Sequence, residues 1–253
     1  MRPSGSPLLR RPERLLLLAF LLLGLALFVW QLGLTGLVDE TPPLFAASAR
    51  AMAETGDWLT PRVNGLPRYD KPPLVYWLMA LGYLLPGQDS WNPLGTWAAR
   101  LPSALSSVGL MLLLSATLLR WPQQQRPRLL SALVAPLAFA LSPLVLLWSR
   151  IAVSDALFSA LLSASLLLLW RCYAAGGRRW WLPWLVLGLA VLTKGPVAVV
   201  LAGLTLALFG WRLADLPGLF RTLRPWPGLL LTALVALPWY VLELLVEGKP
   251  FWD

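Results

Sequence analysis

The chain has 253 residues, 58% of them hydrophobic and 13% charged, with a mean hydropathy of +0.67. This composition excludes a water-soluble globular domain and places the chain among polytopic membrane proteins. The net charge of +9 comes from bases in short clusters between apolar runs, where membrane topology accounts for them, so no nucleic-acid partner is expected. The chain contains no histidine. That removes the commonest general base, zinc motifs of the HExxH kind and any Ser-His-Asp triad, and leaves carboxylates with Lys and Arg to do chemistry. Cys172, the single cysteine, cannot form an internal disulfide, and beside Arg171 at the end of an apolar run it reads as inert.

In chain order, Arg2, Arg10, Arg11 and Arg14 come first and should keep a tail, residues 1–14, in the cytoplasm. The uncharged run Leu15 to Val38 follows, long enough to cross a bilayer. It exceeds a signal-peptide core and lacks a clear A-x-A site, so it reads as a retained first span. A helix is suggested from Leu44 to Glu54. The apolar stretch Pro72 to Pro86 would make only about 22 Å of helix against a hydrocarbon core of roughly 30 Å.

Charge decides where that stretch lies. If it rests on the outer interface, the N-terminus and the segments 120–128, 171–179 and 212–224 face inward with 13 of the 21 bases and two of the 12 acids. If it spans, three basic loops move outside and the positive-inside pattern fails. The expectation is therefore an all-α, single membrane domain over residues 1–253. Its first span is 15–38, an outer loop covers 39–97 with a surface-lying helix, and six further spans lie within 98–253. They are Leu101 to Leu119, Leu129 to Ser149, Ile151 to Trp170, Trp180 to Thr193, Gly195 to Trp211 and Trp226 to Leu242. The stretch Trp180 to Trp211 is short for two crossings, so a recessed hairpin turn is placed at Thr193-Lys194-Gly195-Pro196.

The polar interval from Val38 to Pro73 concentrates Asp39, Glu40, Arg62, Arg68, Asp70 and Lys71 in an otherwise apolar chain. Under the expected topology Asp155 and Lys194 join it on the outer side. Asp155 lies within the apolar run IAVSDALFSALL, where an ionisable side chain is costly and is either functional or paired, with Arg150 as one candidate partner. Asp39 and Glu40 also fit a plainer role as acids opening a helix, and Arg62 and Arg68 fit as interface snorkels. Pro72 and Pro73 fix the backbone that presents Lys71. A carboxylate pair and a cationic cluster at one surface could deprotonate an acceptor and grip a phosphate.

The stretches VDE, GDWLTPRVNGLPRYDKPPLVYWL, AARLPSAL, SRIAVSDALF and LTKGP resemble, in order, the membrane glycosyltransferases that use polyprenyl-phosphate-linked sugars. That family includes the protein O-mannosyltransferases and the aminoarabinose transferases of lipid A, which share the GT-C fold. The resemblance implies a multi-pass protein of the plasma (inner) membrane with juxtamembrane helices in its first outer loop and an extracytoplasmic active site. It implies a polyprenyl-phosphate sugar donor, a lipid or protein acceptor and transfer with inversion. By resemblance Asp39 is the leading catalytic carboxylate, with Glu40 beside it and Asp155 as a second acid facing the same cavity. Lys71 resembles the lysine that contacts the donor phosphate, with Arg62 and Arg68 as further phosphate contacts; Asp70 and Lys194 would line the cavity.

Many relatives read Tyr-Phe-Glu-Lys-Pro where this chain has Arg68-Tyr69-Asp70-Lys71-Pro72. No cofactor is expected; a divalent metal is conceivable, but histidine ligands for it are missing. Family members are usually much longer, so a truncated or split protein is expected. A lipid-linked sugar flippase or a noncatalytic subunit are the competing functions.

Overall fold

The computed structural model describes residues 10–87, 92, 94–121 and 127–252. Arg2 and Arg126, which enter the charge argument, lie outside them. Helix α1 (Arg11–Gly24) continues as a π-turn over Leu25–Val29, giving a 19-residue helical unit that is apolar after Arg14. α2 (Thr41–Thr55) is followed by strands β1 (Arg62–Val63) and β2 (Leu66–Pro67), then α3 (Leu74–Tyr83). The rest is helical: α4 (Thr96–Arg120), α5 (Arg128–Ala140), α6 (Pro143–Trp148), α7 (Asp155–Ala174), α8 (Trp181–Lys194), α9 (Val197–Leu213), α10 (Leu216–Leu223), α11 (Pro225–Glu247) and α12 (Lys249–Trp252).

The composition makes these helices, and their partners set their ends. Four are long and apolar enough to cross a membrane, the α1 unit, α4, α7 and α11. α5, α8 and α9 are shorter apolar helices. Every backbone polar group in a bilayer must be satisfied within the protein, which is why an apolar chain of this kind folds as helices. Leu204, Leu208, Leu230, Leu234 and Leu237 are exposed, as suits side chains that meet acyl chains. The protein is a multi-pass membrane protein.

Several expected boundaries move. The first span stops at Val29, not Val38. Past it the chain leaves the helix: Arg150 donates to the Leu27 carbonyl in the last turn and to that of Trp30 just beyond, and Arg100 holds the carbonyls of Leu32, Thr35 and Gly36 in the segment that follows. The run Leu129 to Ser149 breaks at Leu141-Ser142, where Pro143 opens a second helix. The run Ile151 to Trp170 becomes helical only at Asp155, after a turn over residues 149–154. The expected helix at 44–54 is present as α2, closed by Gly56 in the left-handed conformation (φ +75°). The stretch expected to lie along the surface is helical as α3, with Val75, Tyr76, Met79 and Ala80 buried against Phe45, Ala49 and Met52 of α2. The hairpin between β1 and β2, which apolar patterning does not reveal, turns at Asn64-Gly65, both at positive φ.

Three clusters hold the bundle. Phe20, Phe28 and Leu32 pack with Ala104, Val108 and Met111 of α4. The α2–α3 cluster continues onto Ala152, Val153 and Leu157. The third joins α7, α8 and α11 through Phe158, Leu169, Trp184, Leu187 and Trp239. α8 and α11 approach closely because Gly188 has no side chain: a Cβ there would sit 2.8 Å from Val235 Cβ and 3.2 Å from the Thr232 carbonyl oxygen. Small residues at such crossings are how helices associate when lipid is the solvent. The turn expected at residues 193–196 is present, with α8 ending at Lys194, Gly195 at φ +92° and α9 starting after Pro196.

Candidate active site

Antiparallel packing brings distant helix ends to one end of the bundle. Ser165 of α7 donates to the Pro183 carbonyl of α8 (2.9 Å), so the first turn of α7 lies level with the last turn of α8. There Lys194 Nζ meets Asp155 Oδ1 at 2.5 Å and lies 5.6 Å from the centroid of the Phe158 ring. The candidate partner Arg150 is instead committed to α1, donating to the carbonyls of Leu27 (3.0 Å) and Trp30 (3.0 Å).

Asp39 stands at the same end. A cavity of about 370 Å³ is lined by Leu37, Val38, Asp39, Thr41, Pro42, Arg100, Trp148, Asp155 and the 151–153 turn. Residues 39 and 155, 116 positions apart, therefore share one recess. Asp39 has φ +79°, a left-handed conformation that aspartate tolerates because its short side chain can bond locally. Here Oδ1 accepts the Glu40 N–H at 2.8 Å. No ion pair among the described residues neutralises Asp39. Glu40 is exposed at the N-terminus of α2 and lies outside the cavity lining.

Arg100 is the residue that sequence reasoning missed. It is 9% exposed, and its guanidinium donates to the carbonyls of Leu32 (2.8 Å), Thr35 (3.0 Å) and Gly36 (2.9 Å) and to the Thr35 hydroxyl (3.1 Å). One planar fork thus gathers the strand of chain that leads from the end of α1 to Asp39. Its signal was present, as the arginine in AARLPSAL within an apolar helix, but its partners are 64 to 68 residues away.

The cationic cluster of residues 62–71 divides into separate sites. Arg62 pairs with Asp57 (3.3 Å) and Glu247 (2.5 Å). Burial would lower its pKa, but hydrogen bonds and charges from these two carboxylates outweigh burial and hold it above its ordinary value. Glu247 also accepts from Tyr69 (3.1 Å), and Thr60 donates to the buried Glu243 (3.1 Å). Arg68 donates to one oxygen of Asp70, Oδ2, through both Nε (3.2 Å) and Nη2 (2.8 Å), and lies over the Phe45 ring. Lys71 is half-buried, its ammonium on the Asp70 carbonyl at 3.0 Å. None of the hydrogen bonds or ion pairs among the described residues joins Lys71, Arg62 or Arg68 to Asp39 or Asp155. No group of three His, Cys, Asp or Glu side chains suited to a metal ion occurs among the described residues.

A multi-pass helical bundle with juxtamembrane helices after its first span, and with acidic and basic side chains gathered at one end, has the GT-C-type architecture. Residues 70–241 match the dolichyl-phosphate-mannose-protein mannosyltransferase family, and the chain belongs to that family. An undecaprenyl phosphate-alpha-4-amino-4-deoxy-L-arabinose arabinosyl transferase of Pseudomonas paraeruginosa is 34% identical over 209 residues, covering 79% of this chain and 35% of that protein. An uncharacterised protein of Aquifex aeolicus is 31% identical over 90% of this chain and 43% of its own length. The crystal structure of ArnT from Cupriavidus metallidurans bound to undecaprenyl phosphate superposes with a TM-score of 0.81 at 27% identity, covering 92% of this chain and 42% of that one. The chain spans less than half the length of each of these relatives.

Proposed function

We propose that this chain carries the catalytic base and part of the phosphate-binding surface of a membrane glycosyltransferase. It would transfer a sugar from a polyprenyl-phosphate donor to a lipid or protein acceptor. The observation that carries this reading is the shared recess of Asp39 and Asp155, with Lys194 on the second carboxylate. The family match and the undecaprenyl phosphate named for the similar ArnT structure support the donor class.

Asp39 is the base. Its carboxylate takes the proton of the acceptor hydroxyl as that oxygen attacks C1 of the sugar. The new C1–O bond forms as the C1–O bond to phosphate breaks, and the electron pair leaves with the polyprenyl phosphate. The leaving group is already anionic and needs charge stabilisation more than a proton. Lys194 and Lys71 supply it, Lys194 by exchanging Asp155 for a phosphate oxygen. One displacement inverts the anomeric carbon. Arg62 and Arg68, both held in carboxylate pairs, position the outer loop around the donor. We place the site on the extracytoplasmic face of the plasma membrane, with the N-terminus in the cytoplasm, because the basic segments gather at the opposite helix ends.

The test is Asp39→Asn, assayed for transfer from a defined polyprenyl-phosphate sugar in membranes carrying the protein. Transfer should fall by about 10²- to 10⁴-fold, with donor binding retained. Wild-type turnover in this variant would remove the assignment of the base.

A further inference from the structure

At the other end of the bundle a second polar cavity, of about 300 Å³, is lined by Arg120, Trp121, Leu168, Arg171, Cys172, Arg178, Arg179, Leu182 and neighbouring residues. Arg171 lies 16 residues along α7 from Asp155, about 24 Å at the helical rise, so this cavity is remote from the candidate active site. Positive-inside topology explains why bases are here, but it does not require them to converge.

Converge they do. Arg120 ends α4, Arg171 lies in the last turn of α7, and Arg178 and Arg179 follow the tight turn at Gly176-Gly177, both glycines at positive φ. The guanidiniums of Arg120 and Arg171 lie 5.4 Å and 5.3 Å from the Trp121 ring centroid, which itself stands edge-on to Trp170 at 5.4 Å. None of the four arginines has an ion pair among the described residues, and no carboxylate lines the cavity. Among the described residues the buried Trp121 Nε1 has no hydrogen-bond acceptor. Four like charges held around one recess repel each other, and stacking on one indole offsets only part of that.

We propose that Arg120, Arg171, Arg178 and Arg179 form a phosphate-binding site for the headgroup of an anionic lipid, in the leaflet opposite the active site. Planar guanidiniums match phosphate oxygens with paired hydrogen bonds. A basic pocket between helix ends at headgroup depth is where an anionic lipid can bring that phosphate. Leu168, Leu182 and Pro183 give the cavity an apolar wall for the glycerol and first acyl carbons. Free inorganic phosphate offers the same oxygens without the acyl chains, so the two sources are separable.

The experiment uses the whole chain purified in a neutral detergent. Native mass spectrometry and the melting temperature are recorded with phosphatidylglycerol, phosphatidylcholine or inorganic phosphate. Phosphatidylglycerol should be retained and should raise the melting temperature, and phosphatidylcholine should do neither. Inorganic phosphate that competes with phosphatidylglycerol locates the headgroup phosphate in the site; stabilisation by inorganic phosphate alone would assign the site to the soluble ion and overturn the lipid. Arg178→Gln with Arg179→Gln, both exposed, should weaken retention by roughly 10- to 30-fold. The single exposed change Arg120→Gln serves if that pair lowers the melting temperature without lipid. A control pair, Arg212→Gln with Arg221→Gln, removes equal charge outside the cavity and should leave retention unchanged. Equal binding of both lipids, or equal loss in the control pair, would overturn the site.

Discussion

Lys194 and Asp155 meet at 2.5 Å across 39 residues of sequence, one from the last turn of α8 and the other from the first turn of α7. Both side chains are about a third exposed, and Asp155 lines the recess that also holds Asp39. An ion pair in that setting is worth little as a staple, but it stores a cation where a phosphate could claim it.

A double-mutant cycle separates these roles. Lys194→Met, Asp155→Asn and the double variant should differ in stability with a coupling of about 0.5–1 kcal/mol, as screened pairs do. The effect on donor affinity should be larger for Lys194→Met than for Asp155→Asn, because only the lysine can hold the phosphate. Equal affinity losses in the two single variants would make the pair purely structural.

Arg100 commits its guanidinium to the backbone that leads to Asp39, so under the proposed function it positions that carboxylate. Arg100→Met strands the carbonyls of Leu32, Thr35 and Gly36, which the guanidinium now satisfies. Hydrogen bonds from charged donors are worth about 1.5–3 kcal/mol each, so the loop should loosen and kcat fall by roughly 100-fold as Asp39, the proposed base, is misplaced. The donor KM should change little, since the phosphate contacts stay in place. Arg100→Lys should recover only part of kcat, because an ammonium cannot reproduce the fork. A loss confined to KM would contradict the positioning role.

The crossing of α8 and α11 can be tested without touching the site. Gly188→Val drives new carbon atoms into Val235, already 2.8 Å from an ideal Cβ. Overpacking of this kind costs about 1–3 kcal/mol. The melting temperature in detergent should fall, while Asp39, on the far side of α7, keeps its geometry. An unchanged melting temperature would mean that the two helices can part at no cost.

Much of this architecture was legible in the chain because hydropathy and the bilayer leave few options. Gly195-Pro196 marks the turn beyond Lys194 for backbone reasons that local sequence carries in full, and Asp155 stands out because a charge in an apolar run needs a partner. Which partner it takes is not local information: Arg150 is nearer in sequence, yet it turns to the α1 carbonyls. The end of the first span was misjudged for the same reason. A hydropathy run measures side chains, whereas the segment that follows Val29 is held through its backbone by two distant arginines, Arg150 on Leu27 and Trp30 and Arg100 on Leu32, Thr35 and Gly36. Glu243 and Glu247 escaped notice beyond the last apolar run, although they anchor the loop at Thr60, Arg62 and Tyr69.

That anchor yields the last prediction. Thr60, Arg62 and Tyr69 all reach carboxylates at the end of α11, and the Trp239 indole donates to the Leu59 carbonyl at 2.9 Å. Glu247→Gln keeps the shape but removes the charge that Arg62 meets. With Arg62 about a third exposed, the loss should be about 1 kcal/mol, read as roughly fivefold faster hydrogen exchange over residues 57–69. Burial first, and the hydrogen bond to Glu247 second, raise the Tyr69 phenol above its ordinary value of 10.0. A raised value in the folded protein means that the phenol's contribution is complete below pH 10 and is lost as pH rises through the higher folded value. The tyrosinate absorbance missing from Tyr69→Phe should therefore grow in only above pH 10, and later than free tyrosine. In Glu247→Gln the same absorbance should appear at lower pH, because the neighbouring negative charge no longer opposes ionisation; an unmoved titration would separate Tyr69 from the anchor.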